Sequence, residues 1–197
     1  MQTHIINNYC YGITKKSNYI LVVSILKIAK LGHPVLLKKG TEINEFSTKS
    51  LKKIVYDMSE TMIDYNGIGL AAPQIHLSKR IIVFRNPDSE EKDKIQITPL
   101  INPIFKPIGD QKESDWEGCL SIPGMQGLVS RYKKIIYYGY DLDGNKIENT
   151  AEGLHARVVQ HEIDHLDGIL YTSRLKDKKA FGFEKEIIKF WKNEKNE

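Results

Sequence analysis

Residues 158–168 have the sequence VVQHEIDHLDG, which places two histidines, His161 and His165, four positions apart with Glu162 next to the first. Positions four apart on an α-helix lie one turn apart on the same face, so both imidazoles would point the same way. Gly168 follows directly, and glycine is common just after a helix end. The stretch therefore predicts a helix, ending near Gly168, that presents two nitrogen ligands on one face.

This pattern, H-E-x-x-H, is typical of a metal site. Two neutral imidazoles can bind a divalent cation, and a neighbouring carboxylate can take the proton from the attacking water. Leu154 and Val158 fall on the same side of the helix as His161, which favours a buried metal face over a solvated helix with a chance motif. A catalytic metal usually has three protein ligands, so a third must come from elsewhere.

The source of the third ligand separates several classes of protein. A metzincin-type protease would have histidine at position 171, where this chain has Tyr171. A thermolysin-like protease would use a glutamate from a following helix, and Glu184 and Glu186 lie at a feasible distance. Upstream, Cys119 in WEGCLSIPG offers a thiolate, a strong ligand for zinc or ferrous iron, in a bend predicted before a strand. A purely structural Cys-His-His metal domain is the non-catalytic alternative.

The rest of the chain predicts an α+β fold. The predicted strands are 81–85, 96–105 and 127–141, with a hairpin turn at Asp143-Gly144. The predicted helices are 47–67, capped by Ser47 or Thr48 and ended by Asn66-Gly67, then 150–167, capped by Thr150, and 177–193. Runs of strands followed by helices favour mixed or antiparallel strands packed around the central helix that carries the histidine motif, with a C-terminal helix.

Composition sets the outer limits. The 197 residues are 41% hydrophobic and 27% charged, which is typical of one globular domain. A net charge of +4 without an arginine-rich patch predicts no specific nucleic-acid partner. The longest apolar stretch, 19–26, is far below the roughly 20 residues of a membrane span. The first acidic residue is Glu42, so residues 1–24 are predicted to be a flexible leader or targeting remnant before a catalytic domain at 25–197.

Three stretches, GIGLAAPQ (67–74), EGCLS (117–121) and QHEIDH (160–165), together resemble the three signature motifs of the peptide deformylases, in the order of that family. The resemblance extends from about Ile25 to Tyr171. It implies a metal-dependent hydrolase that removes the formyl group from the N-terminal formyl-methionine of newly synthesised polypeptides and releases formate.

The resemblance also implies roles for individual residues. The implied metal ligands are Cys119, His161 and His165. Glu162 would be the general acid and base, while the side-chain amide of Gln74 and the backbone N–H of Leu120 would donate hydrogen bonds to the formyl oxygen. Ile68 and Gly69 would pair with the substrate backbone as an added strand. A developing oxyanion needs such fixed donors, and glutamine donates without titrating.

The methionine side chain of such a substrate needs an apolar pocket. Val158, Val159 and Ile68 are the candidates for its walls. His155 departs from the family, which usually has an aliphatic residue there, and is predicted to lie at the pocket rim. Around the ligands, Asp164 is a candidate for orienting an imidazole, and Glu117 and Arg131 are predicted to form a supporting pair.

The resemblance implies one divalent metal ion, with Fe²⁺ favoured and Zn²⁺, Ni²⁺ or Co²⁺ also compatible with the ligand set. The implied partners are formyl-methionyl nascent polypeptides. The lysine-rich C-terminal helix is expected to pack on the domain with a solvated face, and a transient ribosome contact is the alternative. The acid-free leader favours an organelle of bacterial descent, plastid- or apicoplast-like or a mitochondrion, over a bacterial cytoplasm.

Overall fold

A computed structural model describes residues 24–86 and 96–192, so the predicted leader at 1–24 falls outside the described residues except for its last position. The strands are β1 Gly69–Ala71, β2 Ile81–Arg85, β3 Ile97–Pro107, β4 Lys112–Cys119, β5 Ile122–Tyr132, β6 Lys134–Tyr140, β7 Lys146–Glu152 and β8 Phe181–Phe183. The α-helices are α1 Lys49–Asp64, α2 Gly153–Leu166 and α3 Glu184–Ile187. Short 3₁₀ turns cover Pro34–Leu37, Ala72–Ile75 and Tyr171–Arg174, and a π-helical turn covers Ile188–Lys192.

Two antiparallel sheets surround helix α2. One has five strands in the order β1-β2-β3-β6-β7, and the other has three in the order β4-β5-β8. The predicted α+β class with antiparallel strands around the motif-bearing helix is confirmed. In the part of the chain that the structure describes, no helix is both long and apolar enough to cross a membrane.

The five-stranded sheet is covered on both faces. Alternate residues of β2 point to opposite sides, so Ile82 and Phe84 join the core beneath α2, while Ile81 and Val83 join the core beneath α1. This explains why β2 is almost continuously apolar, since neither face of this strand is left to water. The sheet therefore holds α2 from one side and leaves the other side of the helix to the three-stranded sheet.

Helix α1, Lys49–Asp64, lies within the predicted range 47–67. Thr48 is the N-cap, and its side chain accepts the backbone N–H of Leu51 at 3.1 Å. At the other end, Asn66 rather than Gly67 adopts the left-handed conformation, with φ of 54°. Gly67 has a different constraint, because an added Cβ there would lie 3.0 Å from the Leu120 side chain.

Two predicted helices begin in the wrong place. Helix α2 begins at Gly153 rather than at Thr150, because residues 146–152 pair with β6 as an edge strand. The predicted helix 177–193 is replaced over Phe181–Phe183 by strand β8, which pairs with the free edge of β5. Cys119, expected in a bend before a strand, instead ends strand β4 at a β-bulge next to Gly118.

Candidate active site

The structure brings the three predicted ligand atoms together. Cys119 arrives from the end of β4, and His161 and His165 lie one turn apart on α2; their ligand atoms are all within 4.8 Å of one another. The sulfur of Cys119 is 3.3 Å from Nε2 of His165. Ligand bonds of about 2.0–2.3 Å in a tetrahedral centre place ligand atoms at such separations. The group is thus compact enough to hold one divalent ion.

The alternative third ligands are not part of this group. Among the described residues, the possible metal-binding cluster consists of Cys119, His161 and His165. Glu184 lies at the start of α3 and accepts a hydrogen bond from Gln126 at 2.9 Å. The thermolysin-like hypothesis therefore has no geometric support.

The charges around the sulfur favour its ligand form. Burial alone would raise the pKa of the Cys119 thiol, but the attraction of His165 and the hydrogen bonds from both imidazoles hold it well below its ordinary value. Ser121 donates its backbone N–H to the sulfur at 3.4 Å. A thiolate is the form that binds metal, and its negative charge calls for a cation between the three side chains.

Glu117 orients His161. Its Oε2 lies 2.9 Å from Nδ1 of His161, and a proton shared there leaves Nε2 free to face the metal position. The predicted Glu117–Arg131 pair is present, with two hydrogen bonds of 2.9 Å. Burial would raise the pKa of Glu117, but the hydrogen bonds from His161 and Arg131 keep it far below its ordinary value. Glu117 is therefore a permanent anion beneath the histidine.

Among the described residues the carboxylate of Asp164 makes no hydrogen bond to an imidazole, so the prediction that it orients one is wrong. Its carboxylate accepts hydrogen bonds from Arg131 and Arg174. Nδ1 of His165 is buried and has no hydrogen-bond partner among the described residues. Asp164 is instead connected to His161 through Arg131 and Glu117.

Glu162 points into the space beside the ligands. It is 5% exposed, and its Oε2 is buried without a hydrogen-bond partner in the described part of the chain. Burial raises the pKa of this carboxyl to about 7, against the opposing attraction of His161 and His165. Gly69 lies directly against it, since a Cβ there would be 2.3 Å from Oε1 of Glu162. A carboxyl in this position can accept and return a proton near neutral pH.

The two predicted oxyanion donors, Gln74 and Leu120, are both next to Cys119, one in space and one in the chain. Oε1 of Gln74 accepts the N–H of Ala71 at 2.8 Å, which fixes the amide with its Nε2 toward Ser121 and the sulfur of Cys119. Leu120 follows Cys119 directly, and its carbonyl oxygen accepts a hydrogen bond of 2.8 Å from Lys30. Gln74 is buried at the end of the short turn after β1, so its donor is held rigidly.

The predicted substrate-binding residues occupy different environments. Within residues 24–86 and 96–192, strand β1 pairs with β2 alone, so its other edge is unpaired beside Ile68, which is 49% exposed. Val158 and Val159 are buried in the core cluster under the five-stranded sheet. His155 is 4% exposed and packs against Phe84 and Tyr137, so its predicted place at a rim is wrong.

Comparison with known proteins agrees with the geometry. The family model for polypeptide deformylase matches residues 25–181. The chain belongs to this family. It is 46% identical over 162 residues to peptide deformylase 1 of Nitrosomonas europaea, covering 81% of this chain and 92% of that protein. It is also 46% identical to peptide deformylase 1 of Bordetella pertussis, over 79% of this chain and 90% of that one.

Solved structures give the same result. The crystal structure of peptide deformylase from Thermotoga maritima superposes with a TM-score of 0.72 at 36% identity, covering 78% of this chain and 99% of that chain. Members of the family are metal-dependent hydrolases, and the cluster of Cys119, His161 and His165 meets that requirement.

Two arginines near the site were missed from the sequence. Arg174 holds Asp164, and Arg157 donates to Glu117 at 2.7 Å. A signal for Arg157 existed, because it lies four residues before His161 and so shares its helix face. No local sequence pattern predicted a role for Arg174, because its partner Asp164 lies on α2, before the turn that separates the two residues.

Proposed function

We propose that this protein hydrolyses the N-formyl group of formyl-methionine at the N-terminus of newly synthesised polypeptides, releasing formate. The observation that carries the proposal is the convergence of Cys119, His161 and His165 beside Glu162, whose Oε2 is buried and has no hydrogen-bond partner in the part of the chain that the structure describes. Family membership supplies the reaction class, and this arrangement supplies the groups that the reaction needs.

One divalent ion would be held by Cys119, His161 and His165, with Fe²⁺ favoured and Zn²⁺, Ni²⁺ or Co²⁺ accepted. Such an ion polarises a carbonyl and lowers the pKa of water from 15.7 toward about 7. One thiolate and two neutral imidazoles leave the centre with a net charge of about +1, a softer centre than three imidazoles would make.

The protein's own groups then move the proton and stabilise charge. Glu162 takes a proton from the water that attacks the formyl carbon, and the amide Nε2 of Gln74 and the N–H of Leu120 donate to the formyl oxygen as it becomes negative. When the carbon–nitrogen bond breaks, Glu162 returns the proton to the departing amine. A raised pKa of about 7 suits a carboxyl that serves in both steps.

The substrate would bind along the open edge of β1. Ile68 and Gly69 would pair with its backbone as an added strand, which is a common way to bind an extended peptide. The candidates for lining the methionine pocket remain Val158, Val159 and Ile68. His155 would pack against Phe84 and not lie at the pocket rim.

Formate release from formyl-Met-Ala, measured anaerobically with metal content on the same sample, tests the proposal. Cys119→Ala should lose the metal, whereas Glu162→Gln should keep the metal and the fold but lose turnover. A fully metal-loaded parent that releases no formate would contradict the proposed function. Metal retained by Cys119→Ala would contradict the ligand set and favour a protease-type site.

The compartment and a ribosome contact remain proposals. The relatives above are bacterial, which supports a bacterial-type translation system, either in a bacterial cytoplasm or in an organelle of bacterial descent. Imaging of the full-length chain with a C-terminal tag separates the two. Deletion of residues 177–197 should abolish ribosome co-sedimentation if the C-terminal segment makes that contact.

A further inference from the structure

Arg157 is a buried charge to which the proposed reaction assigns no role. It lies on α2 one turn before His161 and is 7% exposed. A buried guanidinium is costly unless it is paired and hydrogen-bonded. Its contacts are therefore informative, because they lead to β4, the strand that ends at Cys119, and to β5, which pairs with it.

The first contact leads to His161. Nη1 of Arg157 donates to Oε1 of Glu117 at 2.7 Å, while Oε2 of the same carboxylate lies 2.9 Å from Nδ1 of His161. Arg131 donates once to each oxygen, so two arginines and one imidazole use both oxygens of Glu117. A carboxylate held at this many points cannot rotate, and the imidazole that it faces is fixed in turn.

The other contacts lead to Cys119. Arg157 donates to the carbonyl of Glu113 on β4 at 2.8 Å and to the carbonyl of Val129 on β5 at 3.0 Å. Strands β4 and β5 pair as a hairpin, and Cys119 lies at the far end of β4. One side chain of α2 thus ties its own helix, which carries both histidines, to the hairpin that carries the sulfur.

We propose that Arg157 is a positioning residue of the metal centre, which sets the sulfur of Cys119 in register with the imidazoles of α2. The role rests on the proposed function only in requiring that a divalent ion occupies the site. Arg131 would still hold Glu117 if Arg157 were replaced, so the fold and the carboxylate can persist while the register loosens. The effect should therefore appear in the metal centre itself.

Arg80 provides a matched control. It is also 7% exposed, and it also binds one carboxylate and two backbone carbonyls: Asp167 at 2.7 Å, Leu166 at 3.3 Å and Pro103 at 3.2 Å. It contacts the opposite, C-terminal end of α2, and among the described residues its hydrogen bonds reach neither Glu117 nor strands β4 and β5. Replacing either arginine removes one buried guanidinium and its contacts to α2: Arg157 lies on the helix, and Arg80 binds its C-terminal end from the segment before β2.

The experiment compares Arg157→Met, Arg157→Lys and Arg80→Met in the full-length chain loaded with cobalt. The rate at which a chelator removes the ion should rise about 10-fold or more in Arg157→Met, because loss of an outer partner typically weakens a metal site by 10- to 100-fold. The sulfur-to-cobalt absorption band should shift as well. Arg157→Lys should recover part of both effects, since it keeps a charge near Glu117 but cannot reach all three acceptors.

Arg80→Met should lower the urea midpoint by about as much as Arg157→Met does. It should leave the cobalt band unshifted and the rate of cobalt release within about twofold of the parent. Equal release rates in the two methionine variants, or an unshifted band in Arg157→Lys and Arg157→Met, would overturn the proposal. If Arg157→Met does not fold, the lysine variant decides alone by its band and release rate. A parent that binds no cobalt would instead contradict the proposed function.

Discussion

Helix α2 is held by two interfaces of opposite character. Toward the five-stranded sheet it presents apolar residues, Ala156, Val159, Ile163 and Leu166. Toward the three-stranded sheet it presents Arg157, His161 and Asp164, which meet Glu117 and Arg131. Apolar contact is non-directional, whereas each hydrogen bond to a charge fixes a distance and an angle. The first interface positions the helix, and the second positions individual atoms on it.

The charged interface does not follow from a need for stability. Replacing a buried ion network by well-packed apolar residues is often neutral or stabilising, while removing one member leaves an uncompensated charge. The network is therefore more simply explained by geometry, since Glu117 faces the predicted ligand His161 and Arg157 holds Glu117. This difference between the two interfaces predicts which substitutions affect the metal and which affect only the folded state.

Glu117→Ala should give the largest effect. It leaves Arg131 and Arg157 buried without their shared carboxylate, which should cost about 3–5 kcal/mol in the free energy of unfolding. Urea unfolding of the metal-free protein measures this cost, and metal analysis should show substoichiometric binding. Glu117→Gln, which keeps the shape and one acceptor, should lie between the alanine variant and the parent. An alanine variant with full metal content would mean that the charged interface, like the apolar one, does not affect metal binding.

Gly69→Ala tests the position of Glu162, which lies on α2 between His161 of the charged interface and Ile163 of the apolar interface. The new Cβ would fall 2.3 Å from Oε1 of Glu162, so the carboxyl must move. A displacement of about 1 Å can cost about 10²-fold in rate, and kcat for formate release should fall by that order while metal content stays full. Gly182→Ala on β8, where the nearest atom is 3.7 Å away, is the matched control and should be silent.

The sequence predicted the parts of this architecture that depend on local patterns. The helix predicted at 47–67, its cap at Thr48 and the spacing of His161 and His165 each depend on residues close together in the sequence. The resemblance of three motifs decided for Cys119 among the possible third ligands and added Gln74, although both residues lie far before α2 in the sequence. These residues were brought together as expected.

The failures depended on contacts distant in sequence. Strand β7, KIENTAE, is mostly exposed and polar, so it has no alternation to mark it, and only pairing with β6 makes it a strand. Strand β8 likewise forms because β5 offers a free edge. The role of Arg157 also needed the structure, since its acceptors lie on β4 and β5.

Ile163→Val should affect only the apolar interface. It removes one buried methyl group from the core cluster under the five-stranded sheet, which typically costs about 0.5–1.5 kcal/mol. Urea unfolding should show that loss, while the metal release rate and kcat of the folded protein stay at parent values. A change in metal release as large as that of an Arg157 variant would mean that both interfaces position the ligands.

Asp141→Asn should give the smallest effect, and it separates the contribution of burial from that of hydrogen-bond number. Asp141, like Glu117, accepts several hydrogen bonds, here from Asn145 and the backbone of Asp143, but it lies at the surface turn between β6 and β7. Slight desolvation raises the pKa of Asp141, and the hydrogen bonds from Asn145 outweigh it, so the pKa lies below the ordinary 3.8. A lowered pKa stabilises the folded state at pH values above the ordinary pKa of the carboxyl. This stabilisation is lost as the pH falls through the lowered pKa.

The parent should therefore exceed Asp141→Asn in stability at pH 7 by less than about 1 kcal/mol, because water screens the charge. Thermal unfolding measured from pH 7 to pH 3 should show the difference shrinking below about pH 4, where the carboxylate begins to be protonated in the unfolded chain. Metal content and kcat should not change. A loss as large as that of Glu117→Ala would mean that hydrogen-bond number, rather than burial, sets the cost of removing a carboxylate from this fold.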